Sequence, residues 1–161
     1  MLYFALSFVL LLLDQASKQY MSSILPLCQP GYCQSIEILP IFKFTVVHNE
    51  GAAFSFLSDA GGWQRWLLVT ISIVVSAFVA GWLYRVYRQE KLLALALAFI
   101  LGGALGNLVD RALLGYVVDF IVVYYESYYF PAFNVADSAI TIGAGFLILD
   151  MFINYRKGVD E

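Results

Sequence analysis

The sequence predicts an all-α membrane protein, with four transmembrane helices and a small β segment lying on the outer membrane surface. Three observations predict it. Of 161 residues, 61% are hydrophobic, 17% aromatic and only 13% charged, with a mean hydropathy of +0.79. A soluble domain of that length has too little polar surface to cover so much apolar side chain. Four apolar runs approach the roughly 20 residues that a bilayer core of about 30 Å demands of a helix. Lys and Arg also gather in alternate connections, as positive-inside topology requires. Disorder, collagen-like repeats and a cytosolic dehydrogenase-type fold are excluded. A net charge of −3 leaves no basic stripe for phosphates, so no nucleic-acid partner is expected.

The first run, Met1 to about Met21, is uncharged as far as Leu13 and then carries Asp14 and Lys18. It lacks a Lys/Arg-rich start, and an Asp interrupts it where a small-residue cleavage site should follow, so it reads as a retained span and not a removed leader. The second run is about Trp66–Tyr84, the third Leu92–Val109 without any charge, and the fourth about Ala136–Ile153. Arg85, Arg88 and Lys91 between the second and third runs, with Arg156 and Lys157 after the fourth, place both termini in the cytoplasm. The outer segments are then about 22–65 and 110–135, and the whole chain reads as a single domain.

In the first outer segment, Ile38, Ile41, Phe42, Phe44, Val46 and Val47 interleave with Lys43 and Thr45, which predicts a small surface sheet between Ile36 and Phe56. Cys28 and Cys33 flank a turn made by Pro30 and Gly31. A short-loop disulfide and two unpaired thiols both fit. With His48 the sole histidine and no second cysteine pair, no metal site is expected. Tyr124, Tyr125, Tyr128, Tyr129 and Phe130 crowd the second outer segment, as in an interfacial aromatic belt that anchors the protein.

Ionisable side chains at membrane depth cost several kcal/mol, so those retained there are candidates for function. Asp14, Lys18, Asp110, Arg111, Asp119 and Asp137 lie in or at the outer end of a span. Asp14 and Lys18, four apart on one helix face, are expected to neutralise each other and fix packing. Gly102, Gly103 and Gly106 form a face that lets another helix or a ligand approach, but they leave Asn107, Asp110 and Arg111 in need of polar partners. An Arg adjacent to Asp110 is expected to hold that carboxylate as an anion, which suits a scaffold or a substrate-positioning group.

Asp119 differs, because Tyr-Val-Val-Asp-Phe-Ile-Val-Val embeds it in apolar neighbours with no basic residue beside it. Desolvation there should favour the protonated acid. If Asn134 is a helix N-cap, Asp137 is N3, where the helix dipole favours a carboxylate; a purely capping role competes with a chemical one. One acid and one anion is the arrangement of two-carboxylate hydrolysis, in which a shared proton and an activated water need no metal or cofactor. His48 reads as a surface imidazole, and no Ser-His-Asp set assembles around it. A Ser-Lys dyad fares little better: Ser17 points about 100° away from Lys18 around the helix, which leaves only Ser22 or Ser23.

Asp14-Gln15-x-x-Lys18, Asn49-x-Gly51-Ala52-Ala53-Phe54, Gly102-Gly103-x-x-Gly106-Asn107-x-x-Asp110-Arg111, Val117-Val118-Asp119-Phe120 and Phe133-Asn134-x-Ala136-Asp137, in that order and beside four spans, closely resemble the lipoprotein signal peptidase (signal peptidase II) family. The resemblance implies a bacterial inner-membrane aspartyl protease that cuts prolipoproteins before a diacylglyceryl-modified cysteine; no cofactor is expected, and the chain is expected to act as a monomer. It implies Asp119 and Asp137 as the catalytic pair. Asn49, Gly51, Asn107, Asp110, Arg111, Asn134, Asp14 and Lys18 match positions that shape the site or hold substrate. Asp110 competes with Asp119 as partner of Asp137; the apolar surroundings of Asp119 favour Asp119. The segment Asn49–Phe56 is expected to cover the site. Two rivals from other classes are a proton-relay or transport protein and a lipid-binding scaffold. The acids gather at one face instead of stepping through the bilayer, which disfavours the relay, and a scaffold leaves Asp119 and Asp137 unexplained.

Overall fold

The structure, a computed structural model, describes residues 1–51 and 63–159, and the side chains among them up to Arg156. Among the described residues there are four helices: α1 (Leu2–Ile24), α2 (Trp63–Val86), α3 (Lys91–Leu113) and α4 (Val135–Val159). The strands among the described residues, β1 (Ile36–Leu39), β2 (Phe42–Asn49), β3 (Val117–Tyr125) and β4 (Tyr128–Tyr129), form one antiparallel sheet in chain order. Three helices, α2, α3 and α4, are long and apolar enough to cross a membrane. α1 matches them in length, but its second half carries Asp14, Gln15, Lys18 and Gln19.

The central helix is α3, against which α1, α2 and α4 all pack. Its small residues permit this. A Cβ placed on Gly102 would lie 2.8 Å from both the Ser7 carbonyl oxygen and Leu10 Cβ, and one on Gly103 would run into the Ala136 carbonyl. Glycines therefore set how closely α1 and α4 approach α3, as the small-residue face predicts. On the other side, Val79 and Leu83 of α2 interleave with Leu93, Leu97 and Leu101 of α3. The outward faces carry Phe8, Leu12, Val74, Phe78, Ile148 and Phe152, all exposed, a surface suited to hydrocarbon and not to water.

The sheet differs from expectation in extent. The strands expected within 36–56 are β1 and β2, but the second outer segment is no mere aromatic anchor. Val117–Tyr125 is nearly unbroken β-branched and aromatic sequence, and it pairs along β2 from Asn49↔Val117 through Val47↔Asp119 to Phe42↔Val123. Met21 and Leu25 at the end of α1 pack beneath Val46, Val118 and Phe120, which seats the sheet on the helices. Tyr125, Tyr128, Tyr129 and Phe130 remain exposed at its far end. The third helix also outruns the span read from sequence, continuing to Leu113, so Asp110 and Arg111 are helical and do not begin the outer segment. Between α1 and β1, Cys28 and Cys33 form a disulfide, and the Cys28 N–H donates to the Val46 carbonyl at 2.9 Å, tying that loop to β2.

Candidate active site

Where β2 and α3 end and β3 and α4 begin, the chain brings together polar residues from four elements. Asn49, Asn107, Arg111, Asp119 and Asp137 line one cavity of about 710 Å³, whose remaining wall is largely apolar, including Val47, Val117, Phe130, Pro131, Phe133 and Ile140. Asp119 sits mid-strand opposite Val47, and at 3% exposure it is deeply buried. Asp137 stands in the first turn of α4.

Asn134 builds that turn. Its side-chain Oδ1 accepts from the Asp137 N–H at 2.9 Å, and Asp137 Oδ2 accepts from the Asn134 N–H at 3.2 Å. This reciprocal cap satisfies two helix N-terminal donors. With Oδ1 committed to a donor, the amide nitrogen of Asn134 must face the other way, and it donates to Asp119 Oδ1 at 2.7 Å. Asn49 donates to Asp119 Oδ2 at 3.1 Å, and Asn107 to Asp137 Oδ1 at 2.7 Å. Every carboxylate oxygen of the two acids thus receives one N–H and keeps capacity for another partner. Burial, and then the nearby charge of Asp137, raise Asp119 to about 7, against the opposing hydrogen bonds from Asn49 and Asn134. The shift expected from its apolar neighbours is present, and a second carboxylate adds to it.

Behind the cavity lies a buried charge cluster. Lys18 Nζ is 2.8 Å from Asp14 Oδ2 and 3.0 Å from Asp110 Oδ2, and it donates to Asn107 Oδ1 at 3.0 Å. Asp14 accepts from the Ala136 N–H at 2.8 Å. Asp110 accepts from the Val118 N–H at 3.0 Å. The expected Asp14–Lys18 pair is therefore real, but it is one edge of a cluster joining α1, α3, β3 and α4. The expectation for Asp110 needs correction, because Lys18 and not Arg111 is its ion partner. Adjacent helical residues point about 100° apart, so Arg111 turns away and enters the cavity. There its Nη2 donates to the Gly51 carbonyl at 3.3 Å, its Nε meets no partner among the described residues, and the charges of Asp137, Asp119 and Asp110 bear on it.

Gly51 donates its N–H to Asn49 Oδ1 at 3.1 Å, which orients the Asn49 amide toward Asp119. The covering role expected of Asn49–Phe56 falls, from residue 52 onward, outside the described residues. Two residues were missed as site components. Gln15 donates to Asp110 Oδ1 at 2.8 Å and to the Gly106 carbonyl at 3.1 Å; its spacing of three from Lys18 on the same face was the signal. His48 is not a free surface imidazole: it lines the cavity and stacks on Tyr116 at 3.7 Å between centroids, and burial pushes it below its usual value. Among the described residues no cluster of His, Cys, Asp and Glu suits a metal ion.

The family described as signal peptidase (SPase) II matches residues 6–153. A lipoprotein signal peptidase of Alteromonas mediterranea is 53% identical over 157 residues, covering 98% of this chain and 82% of its own length. One of Pseudomonas putida is 55% identical over 148 residues, covering 91% and 84%. A solved bacterial membrane enzyme, determined in meso at 2.3 Å, superposes with a TM-score of 0.75 at 26% identity over 95% of this chain and 88% of that one.

Proposed function

Because the chain belongs to the signal peptidase II family, bacterial membrane aspartic peptidases that remove lipoprotein signal peptides, we propose that Asp119 and Asp137 are its catalytic pair. The observation that carries this reading is the shared cavity. Two carboxylates from separate elements meet in it, each held by side-chain amides, and one of them is raised to about 7. Raised that far, Asp119 carries a proton for part of the time at neutral pH and can supply it.

In the reaction, Asp137 takes a proton from a water as its oxygen attacks the scissile carbonyl carbon, and Asp119 gives its proton to the carbonyl oxygen. The resulting gem-diol collapses as one hydroxyl returns its proton to Asp119. The proton on Asp137 passes to the leaving amine as the C–N bond breaks. Asn49, Asn107 and Asn134 hold the acids. Arg111, with an N–H to spare, and the Gly51 segment hold the substrate backbone. Asp14, Lys18 and Asp110 brace the site from behind.

The substrate is a diacylglyceryl-modified prolipoprotein whose signal helix enters sideways from lipid, cut on the amino side of the lipidated cysteine. The chain acts as a single integral membrane peptidase domain, as a monomer, without cofactor or nucleic acid. α1 serves as a fourth span, since its charged residues are buried against protein: Asp14 is 0% and Lys18 2% exposed. Arg85, Arg88, Lys91 and Arg156 lie at the opposite end of the chain's topology from the sheet. They support cytoplasmic termini and a site facing the periplasm, where an oxidising milieu suits the Cys28–Cys33 disulfide.

The test is cleavage of a purified prolipoprotein, lipidated and unlipidated. Wild-type enzyme is expected to process the lipidated form, and Asp119→Asn and Asp137→Asn to remain inserted but inactive. Full processing by either variant would refute the pair.

A further inference from the structure

Lys18 touches neither proposed catalytic acid and does not line the cavity, yet it is buried to 2% exposure with all three of its N–H donors used. Two of those donors meet carboxylates of the charge cluster. The third meets the side-chain oxygen of Asn107, whose amide nitrogen makes the 2.7 Å hydrogen bond to Asp137. From this geometry we infer that Lys18 is a positioning residue for catalysis: by pinning the Asn107 oxygen, it forces that amide to present its N–H to Asp137 and holds the carboxylate aimed as the base. The inference rests on the proposed acid pair and adds a role for a residue outside the cavity.

The orientation follows from hydrogen-bond chemistry. An ammonium donates and cannot accept, so the end of Asn107 facing Lys18 must be the oxygen, and the end facing Asp137 must be the nitrogen. The only other donor to Asn107 Oδ1 among the described residues is the Asn134 amide, at 3.2 Å. That nitrogen has two hydrogens for three acceptors. The short contact to Asp119 takes one, and the Val118 carbonyl at 3.3 Å competes for the other. Lys18, charged and at 3.0 Å, is therefore the principal anchor. Its charge also opposes the upward push on Asp119, so one ammonium bears on both acids.

Removing Lys18 alone would leave Asp14 and Asp110 facing each other, so the test replaces the pair as Lys18→Met with Asp14→Asn. The cluster then keeps its net charge of one negative. Asp110 keeps the Gln15 and Val118 donors, and the Ala136 N–H finds the oxygen of the amide introduced at position 14. The readout is the pH profile of kcat/KM and kcat for a lipidated prolipoprotein peptide, per mole of folded enzyme, in wild type and variant. The charged groups facing Asp137 are Asp119 from β3, Arg111 and Asp110 from α3, and Lys18 and Asp14 from α1, with His48 of β2 also in the cavity wall. Only Lys18 and Asp14 change.

The expected result is a fall in kcat of about tenfold or more, with KM near that of wild type. The acid limb of the profile is expected to move toward higher pH by about one unit, because the pair's anion loses its aimed donor. A variant with a lower melting temperature but native kcat and an unmoved acid limb would reduce Lys18 to a structural role and overturn the inference. If the methionine variant fails to fold, Lys18→Gln with Asp14→Asn takes its place. The single amide it places at position 18 cannot serve Asp110, Asn107 and the new amide at position 14 together, so a shift of the same sign is expected, and unmoved limbs overturn the inference there too. Activity in Asp119→Asn or Asp137→Asn would instead sink the acid pair itself, so the two failures are distinguishable.

Discussion

The exchange of Asp119 for Asn should give an inactive enzyme that is more stable than the native one at neutral and higher pH. Burial and the charge of Asp137 raise the Asp119 carboxyl from the usual 3.8 to about 7. The folded protein therefore holds that proton more tightly than the unfolded chain does. Between about pH 4 and pH 7 the unfolded chain releases it first, so rising pH tilts the balance toward unfolding. The cost is absent below about pH 4 and complete above about pH 7. At about 1.4 kcal/mol per pH unit it amounts to about 4 kcal/mol, and with Asp119 only 3% exposed solvent does little to relieve it. Asparagine carries no charge and escapes this cost, but it has one acceptor oxygen where Asp119 accepts from both Asn49 and Asn134. One amide is left facing another donor, at about 1–3 kcal/mol. The net expectation is a gain of about 1–3 kcal/mol above pH 7 and a loss of similar size near pH 4. Thermal unfolding in detergent from pH 4 to pH 8, followed beside prolipoprotein cleavage, measures both. Parallel melting curves for the two proteins across that range, or a variant less stable than wild type at pH 8, would refute the reasoning.

Three further outcomes are expected. Asp110→Asn weakens the link to Lys18 and should lower stability by about 3 kcal/mol, the low end for a broken buried pair because Asp14 still faces the ammonium; loss of cleavage with a native melting temperature would instead move the catalytic role to Asp110. The double exchange Cys28→Ser and Cys33→Ser opens a loop whose ends are five residues apart and should cost about 2 kcal/mol, matched by reductant on the native protein; equal melting midpoints with and without reductant would show that the bond contributes nothing. Gly103→Ala drives a methyl into the Ala136 carbonyl and should cost about 1–3 kcal/mol, while Gly145→Ala, with nothing within 4 Å of the added carbon, should be neutral or stabilise by up to about 1 kcal/mol; detergent melts that rank them the other way would put the α3–α4 contact elsewhere.

Much of the site was legible because membrane depth makes polarity conspicuous. Asp14, Lys18, Asn107, Asp110, Asp119 and Asp137 stand out against apolar sequence, and a charge there implies a partner. The capping arrangement was readable from spacing alone, since Asn134 and Asp137 lie three apart before an apolar run. What sequence could not give was the partner of each charge. Arg111 follows Asp110 directly and looked like its counter-ion, yet helix geometry sends the two to different faces and brings Lys18 across from α1. The second half of the sheet was hidden for a related reason. Val117–Tyr125 is apolar on both faces and shows little alternation, so a pairing 70 residues back to β2 leaves no local period to read. His48 likewise sits in a strand whose neighbours say nothing of the cavity beyond it.

The two acids differ because the chain supplies them from different kinds of backbone. The strand leaves Asp119 no spare N–H from its neighbours, since that of Val118 goes to Asp110 Oδ2 and that of Phe120 to the Phe133 carbonyl; its donors among the described residues are side-chain amides, and burial dominates. A helix N-terminus offers Asp137 the surplus N–H groups of an uncompleted turn, here that of Asn134. Asn134 joins the two environments, capping one acid through its oxygen and restraining the other through its nitrogen. Neither the strand nor the helix end is specialised for hydrolysis, and each occurs in countless folds. An unequal pair arises because one asparagine, fixed by the cap, spans the gap between them. The same inward turning of polarity explains why α1 reads as less apolar than its neighbours. Hydropathy averaged along a helix counts Asp14 and Lys18 as though they were exposed, whereas the exposed face of α1 carries Phe8, Val9, Leu12 and Leu13, so the charges that lower its hydropathy are those it buries against α3 and α4.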